Sequence, residues 1–121
     1  MAGYTIYHNP RCSKSRQTLA LLEDRLADKG ITPEVILYLQ TPPDAATLKR
    51  LVQQLGLKHP MALVRNKEAD YRSAGLHADS TAAEVIAAMV EYPKLIERPV
   101  VVHGKRAVLG RPPENVLQLL D

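Results

Sequence analysis

The stretch YHNPRCSKSR, Tyr7 to Arg16, holds the one cysteine of the chain and decides how the rest is read. Before it, Tyr4-Thr5-Ile6-Tyr7 has the β-branched and aromatic composition of a short strand. After it, Ser15 to Lys29 carries Thr18, Leu19, Leu22 and Leu26 at helical spacing, with Gly30 as its stop. Cys12 is therefore predicted on a strand-to-helix turn, where the unpaired N–H groups of a helix N-terminus point outward. Arg11, Lys14, Arg16 and, when protonated, His8 surround it in sequence. A lone thiol in so electropositive a setting calls for a chemical explanation.

Working outward, Glu34 to Leu39 (EVILYL) reads as a strand so continuously apolar that burial is expected. TPPDAATLKRLVQQLG opens a second helix, with Leu48, Leu51, Val52 and Leu55 on one face and Gly56 after it. A short helix is predicted around Met61 to Asn66. Thr81 and Glu84 stand at capping-box spacing and begin another, with Val85, Ile86, Met89 and Val90 inward. RPVVVHGKRAVLGRPP then holds two short strands, Val100 to His103 and Ala107 to Leu109, joined by a Gly-containing turn. A last helix is predicted over Glu114 to Leu120. The order β-α-β, helices, β-β-α predicts an α/β, thioredoxin-like fold with a mixed central sheet. The first βαβ is expected to be parallel and right-handed. One domain, 1–121, is expected, with a helical insertion at about 44–95.

Composition narrows the function. A chain of 121 residues that is 45% hydrophobic has enough apolar material for one ordinary core, which argues against disorder. That core must be aliphatic, because there is no Phe or Trp and only five Tyr. The same shortage argues against a module that stacks nucleic-acid bases. A net charge of +3 suits small anions, and no block of like charge marks a nucleic-acid tail or membrane anchor. No apolar run approaches a membrane span, and Met1-Ala2-Gly3-Tyr4 has no apolar leader. With a single cysteine, these features lead to the expectation of a cytoplasmic protein whose thiol is kept reduced.

Cys12 has two readings. Free cysteines are often small core hydrophobes, but Arg11 and Lys14 beside it fit a buried site poorly. The alternative is a nucleophile. An ordinary thiol titrates near ~8.5, and a helix N-terminus with nearby cations lowers that value. His8 ends the first strand and can face the thiol across the turn, or be merely a polar strand end. Ser15, at Cys-x-x-Ser spacing, either offers a hydroxyl to the thiolate or simply caps the helix. Arg98 and Arg111 each precede a proline, which restricts their backbone to extended geometry and permits a cis Arg98–Pro99 bond. Together with Arg65 in the insertion, they are candidates for holding an oxyanion, although any one arginine alone reads as surface charge.

Five ordered motifs, YHNPRCSKSRQTL, YLQTPP, ALVRNKEADYRSAGL, ERPVVV and GRPPENVL, resemble the glutaredoxin-dependent arsenate reductases almost end to end. The resemblance implies a thioredoxin-like fold with a helical insertion and a catalytic cysteine at Cys12. It implies a thiolate-stabilising histidine and serine at His8 and Ser15, oxyanion arginines at Arg65, Arg98 and Arg111, and a cis proline at Pro99. Arg11, Ser13 and Lys14 resemble a subgroup of that family rather than its resistance enzymes. The implied reaction is reduction of arsenate to arsenite through the Cys12 thiolate, with arsenate or a similar oxyanion as the bound partner. Glutathione is then the co-substrate and glutaredoxin the partner, with no bound cofactor and a monomeric protein expected. No metal is implied, because the cysteine and histidines lack ligand spacing.

Two rivals share the cysteine. One is a redox-responsive transcription regulator of the same fold that binds RNA polymerase, a class that carries Cys-x-x-Cys where this chain has Ser15. The other is a generic glutathione-linked thiol protein, which has no need of Arg65.

Overall fold

The computed structural model describes residues 3–120, so the leader reading at Met1-Ala2 lies outside it. The chain divides into two compact units, one running to Thr41 and resuming at Arg98, the other spanning Pro42–Glu97.

The first unit is built on strand β1, Tyr4–His8, in which Tyr4, Ile6 and His8 are buried and the residues between them half-buried. That alternation follows from side chains pointing to opposite faces of a strand. Helix α1, Ser13–Ala27, buries Ser15, Thr18, Leu22 and Leu26 along one stripe. β2, Glu34–Leu37, pairs parallel with β1. β3, Val100–His103, runs antiparallel to β1, and β4, Arg106–Leu109, antiparallel to β3. The sheet order is β2-β1-β3-β4, mixed as expected. Tyr4, Ile6, Leu22, Leu26, Val101, Val116 and Leu119 form one aliphatic-rich core, with the Tyr4 hydroxyl donating to Leu119 O at 3.2 Å. Central β1 thus fixes where the turn carrying Cys12 emerges.

Two expectations fail here. β2 is not buried: Glu34 and Val35 are exposed, and Ile36 and Leu37 half-buried. It is an edge strand that ends at Leu37, where Gln40 and Thr41 N–H groups close a turn onto Leu37 O. Of the apolar run beyond it, Tyr38 is buried and Leu39 exposed. The closing segment is a 3₁₀ helix, Pro113–Leu119, rather than an α-helix. The Asn115 side chain holds its entry by donating to Leu109 O and Arg111 O.

In the second unit, α2 spans Ala45–Gln54 and is capped by Asp44, whose carboxylate accepts the Thr47 N–H at 2.8 Å. Leu48 and Leu51 are buried, and Gly56 follows in the left-handed conformation, φ +72°. A 3₁₀ turn at Pro60–Leu63 and a short helix α3, Ala69–Ser73, replace the single helix predicted near Met61. α4, Ala82–Glu91, begins with the full Thr81–Glu84 capping box. Its inner face is Val85, Ile86, Ala88 and Met89; Val90 is exposed, contrary to expectation. No helix among the described residues is long and apolar enough to cross a membrane.

Candidate functional site

The turn between β1 and α1 is braced by its own backbone. Asn9 Oδ1 accepts the Arg11 N–H, and Asn9 O accepts the Cys12 N–H, both at 3.0 Å. An asparagine followed by proline favours this kind of side-chain-mimicked turn, so Asn9 was legible in the motif although not singled out. Arg16 adds a guanidinium bond to Pro10 O at 2.8 Å. Cys12 is left as the residue before the first turn of α1, with extended backbone and a half-exposed side chain.

The thiol is held below its ordinary value by a contest of effects. Burial pushes it up. Against burial act the Ser15 backbone N–H, the Arg98 guanidinium, the Lys14 backbone N–H and Arg111, and together these prevail. Arg111 Nη1 lies 3.8 Å from Cys12 Sγ. The largest cationic influences therefore come from two residues far away in sequence, Arg98 and Arg111, which β3 and β4 bring back to the turn. Lys14 acts through its backbone.

Ser15 and His8 are arranged differently from a direct pair of thiolate donors. Both are buried. His8 Nδ1 lies 2.7 Å from Ser15 Oγ, which also accepts the Asn9 N–H at 3.0 Å. Burial first, then Arg16, lowers the His8 pKa, with Glu23 opposing. Neutral imidazole is thus favoured, and the protonated His8 considered above is not. Ser15 addresses the sulfur through its N–H, while its hydroxyl locks β1 to α1.

Arg98 precedes the Pro99 cis bond, as expected, and Arg111 precedes a second one at Pro112. Arg65 belongs to the other unit. There its backbone N–H bonds to Leu95 O at 2.7 Å, and its guanidinium meets Glu68 at 3.2 Å and Lys94 O at 3.3 Å. Among the described residues, no group of His, Cys, Asp and Glu is placed to hold a metal.

A half-exposed, anion-prone sulfur beside guanidinium groups at a helix N-terminus is suited to attack an oxyanion. Comparisons with known proteins place the chain among named relatives. Over 116 residues the chain is 46% identical to an arsenate reductase of Haemophilus influenzae, covering 95% of this chain and 97% of that one. It is 53% identical to the Escherichia coli protein YfgD over 117 residues, 95% of this chain and 94% of that one. The solved structure of an arsenate reductase from Vibrio cholerae superposes with a TM-score of 0.88 at 51% identity, covering 98% of each chain. This likeness agrees with the mixed sheet and helices of the thioredoxin-like fold. A model of the ArsC family matches residues 7–119, and the chain belongs to that family.

Proposed function

We propose that this protein reduces arsenate to arsenite, taking its electrons from glutathione with the help of glutaredoxin, in the cytoplasm and as a monomer. The observation that carries the reading is the Cys12 sulfur, kept toward its thiolate by two backbone N–H groups and by Arg98 and Arg111. The thiolate attacks arsenic, and an oxygen leaves as water. The thiol of glutathione then attacks Cys12 sulfur, and the As–S pair reduces arsenic from the +5 to the +3 state. Arsenite departs, and Cys12 remains as a mixed disulfide with glutathione. Glutaredoxin and a second glutathione return it to the thiol as glutathione disulfide. Two thiols thus supply the two electrons, and one oxygen of arsenate is lost as water.

Cysteine arithmetic supports the donor. The chain has one thiol, so no internal disulfide can form, and Ser15 cannot resolve a sulfur adduct. Arg98 and Arg111 bind the oxyanion through planar forks. Arg65 is the third oxyanion arginine, and His8 and Ser15 are the catalytic supports that fix the turn. Arsenate-dependent NADPH consumption with glutathione, glutaredoxin and glutathione reductase tests the assignment. Turnover that disappears in Cys12→Ser is expected. Full activity on thioredoxin and its reductase, with glutathione rigorously absent, would overturn the donor.

A further inference from the structure

Thr18 lies one helical turn beyond Ser15 and is completely buried. Its hydroxyl lies 2.8 Å from Lys14 O, inside the turn that surrounds the sulfur, and 3.0 Å from Gly110 O, the carbonyl directly before Arg111. Gly110 N–H in turn donates to Pro99 O at 2.9 Å, the residue directly after Arg98. The hydroxyl has one proton, shared between the Lys14 and Gly110 carbonyls; with the Gly110 amide it links the thiol-bearing turn to both segments that carry the guanidinium groups. The fit is tight. A Cβ on Gly110 would stand 2.5 Å from Thr18 Oγ1, 2.6 Å from Thr18 Cγ2 and 2.8 Å from Pro99 Cγ.

We propose that Thr18 is a positioning residue for the reaction, setting the Arg111-to-sulfur distance by holding Gly110 O against the first turns of α1. It touches neither the sulfur nor a substrate; it acts through Arg111. A helix-facing apolar position would be served as well by valine, which has the same shape, so the hydroxyl is the informative part. Without it, Gly110 O loses a buried donor and the Gly110-Arg111 segment is free to move away from α1. The inference rests on Cys12 being the activated nucleophile, and its test can fail separately from that reading.

The test is the pH profile of Cys12 alkylation by iodoacetamide, which needs no arsenate, in wild type, Thr18→Val, Thr18→Ser and Arg111→Ala. Relaxing the 3.8 Å separation by about an ångström should raise the apparent pKa by about 0.2 unit in Thr18→Val, at the water-like dielectric that the exposed Arg111 sets. Thr18→Ser keeps the hydroxyl and should retain the wild-type profile. In the Arg111→Ala background, Thr18→Val should add no further shift, because the group it positions is gone; a merely structural role would still add one. Thr18→Ala, which removes the hydroxyl without adding bulk, is the second variant should valine fold poorly. A lowered wild-type value left unchanged by Thr18→Val and Thr18→Ala would overturn the positioning role and leave Cys12 standing. A wild-type thiol that titrates ordinarily would overturn both.

Discussion

Replacing Arg111 with alanine should release the Cys12 thiol toward its ordinary titration. The guanidinium Nη1 lies 3.8 Å from Sγ. Opposite unit charges at that separation attract by about 1.1 kcal/mol in a water-like medium and by about 4.4 kcal/mol at an effective dielectric of about 20. Cys12 is half-exposed and Arg111 exposed, so the weaker limit governs. At about 1.4 kcal/mol for each unit, the thiol should rise by about one unit. The sign follows from the charge: Arg111 favours the anion, so its loss disfavours it. Below the wild-type pKa the thiolate fraction, and with it the alkylation rate, should fall by up to about tenfold. The Ser15 and Lys14 N–H groups and Arg98 remain, so the value should stay below that of a free thiol. Alkylation followed by intact mass from about pH 5 to about pH 10 reads both limbs of the curve. A curve identical to wild type would refute the claim that a residue delivered by the late strands activates the sulfur.

Arg98→Lys keeps the charge but loses the planar fork, and arsenate turnover should drop by about 1–3 kcal/mol, roughly ten- to a hundredfold; steady-state kinetics would show it. Gly110→Ala drives a Cβ to 2.5 Å from Thr18 Oγ1, so urea unfolding should show a loss of about 1–3 kcal/mol. His8 gives a pH dependence. Its folded pKa lies below the ordinary 6.5, so the unfolded chain binds its proton first as pH falls. Its contribution to stability is complete above 6.5 and fades as pH drops toward the folded value. Thermal unfolding should weaken across that window, and less so in His8→Gln.

How much of this was legible depended on whether the signal was local. The β1-turn-α1 motif could be read because strand composition, an Asn-Pro turn and helical spacing follow one another within a few residues. The Thr81–Glu84 capping box was equally self-contained, and it formed as read. β2 was misjudged because an apolar run reports composition, whereas burial depends on which strand lies beyond, and beyond β2 there is none in the sheet. Val90 failed for a related reason: helical spacing gives a stripe, and neighbours decide how wide it is. At the site, Arg98 and Arg111 were named from their places before proline and from the family resemblance, whereas that these two, rather than the neighbours Arg11 and Arg16, act on the sulfur follows from the fold. The lowered pKa of His8 was unreadable, since it comes from burial and from Arg16 across the turn. Thr18 looked like any helical core position until Gly110 O was found beside its hydroxyl.

Intact mass of the enzyme stalled in mid-reaction tests the central claim most directly. Incubated with arsenate and glutathione but without glutaredoxin, the protein should gain one glutathione as a mixed disulfide, or retain arsenic, with the mass mapped to Cys12. The gain should require arsenate and should vanish in Cys12→Ser. A protein that turns arsenate over while Cys12 stays unmodified, or a Cys12→Ser variant that still makes arsenite, would contradict the account.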